Sequence, residues 1–572
     1  MRMLLEPNLQ NCLIHLEMTS GENKWLKSYK ELTQQMYGLR RACRSLPLLA
    51  TSTVNPRHPV ASDHLYLIDR LKETEDGGPS RSSLNPSSTW GRRFFSSIRR
   101  QLSRVKLVLT LLLFALRETF VIAFLRLRFG SIIRKMQALP ATIVMRTMCV
   151  DPGFADSGED YIYGRLPQIL QERGFNCMLL CEGKREDTAQ FARAVISRVY
   201  IRSLPEIMLV PFWAPLVTAV QQMMTSLALC RFFRKSADGN AAMLRAAAAR
   251  ACCSTDTMRD TLSFYAARAA VKVWHPKVFV TQYEGAPLEK LAWHGVKAAN
   301  KNCVTVGYQH TVIMPHSSEL TCPNRGSWEV AAPDAVLCLG EVTRDMMKSG
   351  HEPLKTKLIL YGSFRRALNR SLQCTPKSEP HTVLVVPESR ESKFLFDFAM
   401  KAAPILPGYH FILRCHPARP FDEVRPHLER DPEEFPNVEI SDRLSLVDDC
   451  GRSFAVLYHS SSAVLVALLC GLKPLYLHDD GQYESDPLFE LTHWRECVSS
   501  VGEMEETLRR YERTTKDCAS TAWKKAADYV NAYAMPVDNS SIDRFLVAVG
   551  LSGDTPSITK SGHQTMSCET LS

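Results

Sequence analysis

The stretch that most constrains the fold is Phe454–Leu477, which reads FAVLYHSSSAVLVALLCGLKPLYL. Its first segment, Phe454–Tyr458, is a short apolar run with β-branched and aromatic members, which predicts a buried strand. Ala463–Cys470 is uniformly apolar and predicts a helix buried on most sides, with Gly471 placed to end it. Lys473–Leu477 then returns as a second strand. The stretch therefore predicts a βαβ unit, the building block of a doubly wound α/β domain.

The turn between this strand and helix consists of Ser460, Ser461 and Ser462, which we call the serine turn. Hydroxyl groups beside the free N–H groups and the positive end of a helix form a natural anion site. The alternative is that the serines only cap the helix, because serine is a preferred N-cap residue. The turn predicts an anion site or a cap, and its own residues leave both readings open.

A second motif points toward the anion reading. Arg414 and His416 come at the end of a predicted strand, His410–Arg414, and Pro417 stiffens the turn that follows. Arginine and histidine side chains hold phosphate by charge-assisted hydrogen bonds. Because this motif and the serine turn lie in successive βα units, we expect both at the same edge of one sheet. Arg390, which follows the strand Thr382–Pro387, is a further candidate for this site.

An earlier series of strands, from Ala141–Arg146 to Lys357–Tyr361, predicts a separate α/β domain. Glu284 follows one of these strands, where a carboxylate can act as a general base toward an acceptor hydroxyl. The alternative role for Glu284 is to stabilise the N-terminus of the next helix. Asp160 lies before the first predicted helix of this domain and is a further polar candidate at this edge. The residues predicted to line the binding edge of this domain are Tyr308, Gln309, His310 and Arg165.

The chain of 572 residues is too long for one core, so more than one domain is expected. We predict an extension and linker at 1–90, a basic membrane-proximal helix at 91–140, Rossmann-like domains at 141–365 and 380–550, and a disordered tail at 551–572. Helices are predicted at Trp25–Leu49, Leu166–Arg173, Asn240–Lys272, Leu288–Asn300, Glu391–Ala403, Phe421–Arg430 and Glu505–Tyr533.

Residues 91–135 combine basic clusters with an apolar core, Leu107–Leu116 and Phe120–Leu125, interrupted by Arg117 and Glu118. The net charge of +10 also favours acidic partners. The pattern favours a helix lying in the plane of an anionic membrane over one that crosses it; an ordinary buried helix with a basic flank is the alternative. Ile207–Cys230 carries no charge and could be a second membrane-facing surface or a buried helical hairpin; its prolines and glutamines favour burial.

Several classes of protein are disfavoured by motifs that the sequence lacks. The eighteen cysteines include no C-x-x-C pair, a pattern typical of reduced thiols in the cytoplasm rather than of disulfides or a zinc site. The first thirty residues show no signal sequence, and neither a Walker phosphate loop, a G-x-G-x-x-G fingerprint nor a G-x-S-x-G elbow occurs. We therefore predict a cytoplasmic protein associated peripherally with the membrane, without a metal site or bound cofactor and without a nucleic-acid partner.

The Arg414–Pro417 motif, the serine turn and the return at Gly471–Pro474 resemble the C-terminal half of GT-B glycosyltransferases. More narrowly, they resemble bacterial surface and capsular carbohydrate enzymes with an HP motif and a serine motif, such as sialyl-, Kdo- and polyol-phosphate transferases. The segments Asp160–Pro167, Tyr283–Lys290 and Gly307–Thr311 are similar to a less characterised surface-carbohydrate biosynthesis family with an E…GYQH pattern. The resemblance covers roughly residues 140–500.

The resemblance implies two Rossmann-like domains facing a cleft and an inverting, metal-independent transfer of a sugar from a nucleotide donor. The donor would be CMP-linked, and the acceptor would be a glycan or a lipid-linked glycan. His416 and the serine turn would bind the donor phosphate, and Glu284 or Asp160 would be the base. Two alternatives remain: a CDP-polyol phosphotransferase of the same fold, and a non-catalytic membrane-associated assembly protein with a GT-B shell.

Overall fold

The structure is a computed structural model that describes the chain from residue 89 to residue 551 with internal gaps. The predicted Trp25–Leu49 helix, Arg390 and the predicted tail beyond residue 551 lie outside the described residues. The residues described are 89–149, 159–183, 188–198, 200–232, 251–315, 317, 320, 332–349, 356–364, 381–388, 392–417, 419–443, 445–478 and 485–551.

The described part of the chain begins with a long helix and continues with strands and helices that form two parallel sheets. The strands are β1 Ile143–Cys149, β2 Cys177–Gly183, β3 Ser203–Pro205, β4 Val278–Gln282, β5 Val304–Tyr308, β6 Ala335–Cys338, β7 Lys357–Leu360, β8 Thr382–Pro387, β9 His410–Leu413, β10 Val438–Ile440, β11 Ala455–His459, β12 Lys473–Leu477 and β13 Glu496–Val498. The helices are α1 Thr89–Gln137, α2 Leu166–Glu172, α3 Thr188–Ile196, α4 Ala214–Phe232, α5 Thr255–Trp274, α6 Pro287–Ala299, α7 Glu341–Ser349, α8 Ser392–Ala402, α9 Phe421–Val424, α10 Leu446–Gly451, α11 Ala463–Leu469, α12 Val501–Glu512, α13 Lys516–Tyr533 and α14 Asn539–Ala548.

The first sheet has the strand order β3-β2-β1-β4-β5-β6-β7, and all its pairs are parallel. The chain builds outward from β1 to β3, then returns to β4 and builds outward in the other direction. The order of the strands therefore reverses between β1 and β4. In sheets of this kind, ligands bind beyond the carboxyl ends of the strands at that reversal.

The second sheet repeats this logic with the order β10-β9-β8-β11-β12-β13, again all parallel. Its reversal lies between β8 and β11. The fold class predicted from the sequence, two Rossmann-like doubly wound domains preceded by a helical extension, is confirmed. The cysteines whose side chains the structure describes, Cys177 among them, form no disulfide, as the sequence indicated.

The Phe454–Leu477 unit forms as predicted. The strands Ala455–His459 and Lys473–Leu477 are buried throughout, and the helix Ala463–Leu469 is buried except at Ala463 and Val466. Gly471 ends the helix with a φ of +89°, the left-handed conformation that favours glycine.

Two helix predictions were wrong in extent, and the reasons are local. The helix expected at Phe421–Arg430 is α-helical only to Val424, because Pro426 lacks an N–H and its ring clashes with the preceding turn. The helix expected at Glu505–Tyr533 is two helices, α12 and α13. The break falls at Thr514 and Thr515, and the Thr514 hydroxyl donates to the Arg510 carbonyl, as threonines do near helix ends.

The helix expected at Asn240–Lys272 starts, in the described residues, at Thr255. Ser254 is its N-cap, and the Ser254 hydroxyl accepts a hydrogen bond from the Thr257 N–H at 3.1 Å. Residues 240–250 lie outside the described residues. The capping chemistry of Ser254 was present in the sequence but obscured by the alanine-rich run before it.

The preference for burying Ile207–Cys230 was also wrong. The segment forms a short 3₁₀ turn at Glu206–Leu209 and then the single helix α4, whose large apolar side chains are exposed. Small and polar residues of α4 face the protein instead. The Gln222 amide and the Thr225 hydroxyl make hydrogen bonds there, whereas the large apolar side chains are exposed.

The C-terminal segment links the two sheets. After α13, the chain passes the carboxyl edge of the first sheet, where the Met535 N–H donates to the Leu339 carbonyl at 2.8 Å. A side chain at Gly340 would collide with the backbone at Ala532, so only glycine allows this close approach. The helix α14 then packs into the core of the first sheet through Phe545 and its neighbours.

Candidate functional site

The edge of the first sheet brings Glu284 and His310 together. They follow β4 and β5, two neighbouring strands whose last residues, Gln282 and Tyr308, are paired in register. Glu284 and His310 each lie two residues after the end of their strand. This places the Glu284 carboxylate 3.1 Å from the His310 Nε2. The Glu284 side chain is 24% exposed and that of His310 only 8%. The carboxylate is therefore the member of the pair that a bound molecule can reach.

The backbone around Glu284 is held by another carboxylate. Glu289, in the first turn of α6, is fully buried and accepts hydrogen bonds from the N–H groups of Glu284, Gly285 and Ala286 at 2.9 to 3.1 Å. These are the N–H groups that a bound anion would otherwise take. This helix start is thus internally satisfied, and Glu289 fixes the loop so that the Glu284 side chain stays beside His310.

Asp160, the second candidate base, is buried and engaged. One of its carboxylate oxygens accepts hydrogen bonds from the Thr147 hydroxyl and from the N–H groups of Ile162 and Tyr163, each at 2.9 Å. Burial raises the pKa of the Asp160 carboxyl, against the lowering effect of these hydrogen bonds. The arrangement anchors the loop before α2.

Of the other residues predicted for this edge, Tyr308 and Gln309 make buried hydrogen bonds and Arg165 is exposed. The Tyr308 hydroxyl donates to the Gly362 carbonyl at 3.1 Å, and the Gln309 amide ties two loops by accepting from the Leu339 N–H at 3.0 Å. Both side chains are buried. Arg165 is exposed immediately before α2. Of the predicted binding edge, His310 is the residue that the structure brings to Glu284.

The edge of the second sheet carries the serine turn directly beyond β11, at the strand reversal. Ser460 has a φ of +57°, a left-handed conformation that is uncommon for a residue other than glycine. Ser461 is buried and Ser462 is exposed. Ser462 occupies the N-cap position of α11 without making a side-chain cap bond. The Ser462 side chain therefore does not cap the helix. Strained backbone conformations such as that of Ser460 are found at functional sites.

The histidine before the serine turn was missed by the sequence analysis. His459 is buried, and its Nδ1 donates to the Leu477 carbonyl at 2.8 Å. Its ring stacks on Tyr476 at 5.3 Å. This hydrogen bond leaves the Nε2 of a neutral ring as an acceptor, with its orientation fixed by the packing. The signal was available: His459 is the last residue of a buried strand and adjoins three serines.

Arg414 and His416 lie two strands away from the serine turn, since β8 separates β9 from β11. With neighbouring strands about 4.8 Å apart, the two motifs start about 10 Å from each other at the same edge. His416 is half-buried, and its carbonyl accepts the Arg419 N–H at 2.9 Å in the turn that Pro417 begins. Both motifs thus stand at the edge where the sequence analysis expected them.

Arg414 makes hydrogen bonds within its own domain. Its Nη1 lies 2.6 Å from a carboxylate oxygen of the buried Asp449 and 3.0 Å from the Arg443 carbonyl. Burial raises the pKa of the Asp449 carboxyl, but hydrogen bonds from Ser441, Arg452 and Arg414 outweigh it, so the pKa is lowered overall. Arg414 therefore fixes the loop after β10.

The loops of the first edge are fastened to the second domain by Tyr533. The Ile313 N–H donates to the Tyr533 hydroxyl at 2.7 Å, three residues after His310. Val312 packs against the core of the second sheet. Tyr533 ends α13, which packs on the second sheet's core through Val530. The position of His310 is thus tied to that of the second domain.

The known structures that this chain resembles include glycosyltransferases and UDP-N-acetylglucosamine 2-epimerases, at low sequence identity. No protein-family model and no curated protein matches the chain. A glycosyltransferase of kitacinnamycin is 12% identical with a TM-score of 0.41, over 71% of this chain and 98% of its own. A putative UDP-N-acetylglucosamine 2-epimerase from Listeria monocytogenes is 11% identical with a TM-score of 0.41, over 73% and 97%. SnogD, a glycosyltransferase from Streptomyces nogalater, is 12% identical with a TM-score of 0.39, over 71% and 100%.

The class that the chain belongs to is therefore given by its own topology: an α/β protein with two Rossmann-like domains joined by a C-terminal segment that returns to the first. Glu284 follows a strand at the reversal of the first sheet, and the serine turn follows a strand at the reversal of the second. At this level of similarity the comparisons assign no activity to the chain.

Proposed function

We propose that this protein is an inverting glycosyltransferase that transfers a sugar from a nucleotide-sugar to a glycan or lipid-linked acceptor. The donor nucleotide in this proposal is CMP. The observation that carries the proposal is the placement of two different chemistries at the two strand reversals. An accessible carboxylate, Glu284, stands at one, and the serine turn stands at the other with His416 at the same edge. A transfer between two bound substrates needs one group of each kind.

The donor would bind to the second domain. His416 and the hydroxyl and N–H groups of the serine turn would contact the donor phosphate, with Arg390 as a further candidate in the loop after β8. The backbone at Ser460 is already held in an uncommon conformation, so little reorganisation would be needed on binding. His459 would present an oriented Nε2 to the same ligand.

The acceptor would bind to the first domain, with Arg165 and His310 at its edge. Glu284 would take the proton from an acceptor hydroxyl, and the hydroxyl oxygen would form a bond to the anomeric carbon of the donor sugar. The bond from that carbon to the phosphate oxygen would break, and the nucleotide would leave with the bonding electrons. Attack opposite the leaving group inverts the anomeric centre. The role of His310 would be to position the Glu284 carboxylate.

In this proposal the chemistry is carried by side chains without a metal ion, so transfer should persist in the presence of EDTA. The product would belong to surface polysaccharide or glycolipid biosynthesis. The enzyme would work at the cytoplasmic face of a membrane, where α1 would hold it near a lipid-linked acceptor.

The test is a binding screen on the purified chain, followed by product analysis. A ligand that binds only the folded state at a hundred times its Kd stabilises by about 2.7 kcal/mol, so a thermal-shift assay with CMP, CDP, UDP and GDP identifies the nucleotide. CMP-sugar and CDP-glycerol are then compared as donors. Transfer of a sugar from CMP-sugar is the expected result. Transfer of a polyol phosphate from CDP-glycerol, or no shift with any nucleotide, would contradict the proposal.

A further inference from the structure

The helix α4 exposes its large apolar side chains and buries polar ones, the reverse of the usual arrangement. Its exposed side chains are almost all large and apolar, whereas its buried face includes Thr218, Gln222 and Thr225. The Gln222 amide donates to the carbonyls of Cys252 and Ser254 at 2.6 and 3.1 Å. A helix on a water-exposed surface shows the opposite pattern, with its apolar stripe inward. The exposed apolar residues of α4 and the turn before it are Phe212, Trp213, Leu216, Val217, Val220, Met224 and Leu227.

The helix α1 is apolar on two opposite faces. At about 100° per residue, the buried stripe that runs from Leu111 to Ile133 lies opposite an exposed stripe that runs from Val105 to Leu127. The buried stripe packs into the cores beside α5 and the first sheet. The exposed stripe consists of Val105, Leu109, Leu113, Leu116, Phe120, Phe124 and Leu127.

The two helices lie in one layer, in contact with each other and with α5. Arg126 fastens α1 to the 3₁₀ turn before α4, because its guanidinium donates to the carbonyls of Met208, Leu209 and Val210 at 2.9 to 3.4 Å. Both exposed stripes therefore stand on the side away from the first sheet. We call the two stripes together the apolar platform.

The charges around the apolar platform have one sign. Over residues 105–137 and 214–227 the single carboxylate is Glu118, which is buried. The exposed charged side chains of α1 in this range are basic, and by the same rotation they lie on the side of its exposed stripe or at that stripe's margin. They are Lys106, Arg117, Arg128, Arg134 and Lys135.

We infer that the apolar platform docks in the plane of an anionic phospholipid leaflet, with α1 and α4 both embedded at the level of the headgroups. The basic margin fits the phosphate groups of the leaflet, and the exposed stripes fit the acyl boundary. Trp213, at the start of α4, is a side chain favoured at that interface. The inference rests on the proposed function in one respect: the site's acceptor is taken to be lipid-linked.

The structure also distinguishes docking from crossing. By length and composition, Val105–Gln137 is the one helix among the described residues that could span a membrane, yet one of its faces is occupied by the protein core. Leu111, Ala115 and Ile122 are fully buried there. A spanning helix would have to leave this core and expose it, so the geometry places α1 flat against the bilayer.

The test is flotation of the full chain with vesicles of phosphatidylcholine, with and without phosphatidylglycerol. Wild type should float with the anionic vesicles, and the double variant Val220→Glu with Met224→Glu should bind at least tenfold more weakly. The matched control is Ile405→Glu with Val547→Glu, which places the same charges at exposed apolar positions on other surfaces and should bind like wild type. Lipids with brominated acyl chains should quench wild-type fluorescence more than that of Trp213→Phe.

Each outcome decides the matter. If the α4 variant floats like wild type, α4 does not dock and the inference fails. Wild type that does not bind vesicles but self-associates through this face would also overturn the inference. So would protease protection showing that α1 crosses the bilayer of a sealed vesicle. The thermal shift with nucleotide is measured on the same variants in solution. An unchanged shift shows that they are folded, and it separates failure of docking from failure of the proposed function.

Discussion

The two strand reversals of this protein differ in how far their polar groups are already satisfied. At the first, Asp160, Gln309 and Glu289 are buried and hydrogen-bonded within the domain, and Glu284 pairs with His310. At the second, the serine turn combines a strained backbone with an exposed hydroxyl. The difference fits the proposal, in which the first edge positions one carboxylate and the second edge binds the donor phosphate.

The largest expected effect comes from removing the proton acceptor at the first edge. Glu284→Gln keeps the shape of the side chain but not its basicity, so kcat should fall by about 10²- to 10⁴-fold while the Kd for donor stays unchanged. Steady-state kinetics and calorimetric donor titration check the two parts. Glu172→Gln, an exposed glutamate in the same domain, is the control. A fully active Glu284→Gln variant would remove Glu284 from the mechanism.

At the second edge the expected loss is one of binding. Ser462→Ala removes an exposed hydroxyl that makes no cap bond, so it should not destabilise the fold. It should weaken donor binding roughly 10- to 100-fold, as expected for a hydrogen bond to a charged group worth about 1.5–3 kcal/mol. Titration of the donor measures this, with Ser197→Ala in the first domain as the control. Unchanged donor affinity would mean that the Ser462 hydroxyl does not contact the phosphate.

The link between the two edges can be weakened without touching either. Tyr533→Phe leaves the Ile313 N–H buried without its acceptor, which should cost about 1–3 kcal/mol of unfolding free energy. Activity should fall further than donor binding, because His310 is on the loop that Tyr533 holds. Denaturant unfolding and kinetics check this against Tyr529→Phe, whose hydroxyl makes a long 3.4 Å bond to Glu490. Equal losses in both variants would argue against a specific link.

The smallest effect concerns the helix that joins the C-terminus to the first domain. Asp538 caps α14, and hydrogen bonds from the Ser541 N–H and the hydroxyls of Ser540 and Ser541 lower its pKa to about 2. Asp538→Ala should cost about 1 kcal/mol. Because the pKa is depressed in the folded state, this stability is present above the unfolded value of about 3.9 and is lost as pH falls toward 2. Unfolding curves of wild type and variant should therefore converge at low pH; a constant gap would contradict the capping role.

Much of this fold was predictable from short-range patterns. The Phe454–Leu477 unit and most strands carried uniform apolar runs that were bounded by glycine, proline or serine, and their positions were correct to within a few residues. The pairing of Glu284 with His310 was not predictable, because it depends on β4 and β5 being neighbours in register. The role of Arg414 was also hidden, since its partner Asp449 lies on a helix that the sequence analysis did not predict.

The reversed polarity of α4 shows a different limit. The sequence of Ile207–Cys230 contains both large apolar and polar side chains, and periodicity alone does not say which stripe faces the protein. Burial of the segment was expected because its prolines and glutamines make it a poor membrane span. The observed reversal arises because Gln222 finds backbone carbonyls at the start of α5, a contact between segments about 30 residues apart.

The most direct test of the account is a calorimetric titration of CMP into wild type, Glu284→Gln and His416→Ala. If the donor binds at the second edge and the base acts from the first, Glu284→Gln should bind CMP with the wild-type Kd. His416→Ala should bind at least tenfold more weakly, since it loses a charge-assisted contact to phosphate. Loss of binding in Glu284→Gln with unchanged binding in His416→Ala would contradict the assignment of the two edges.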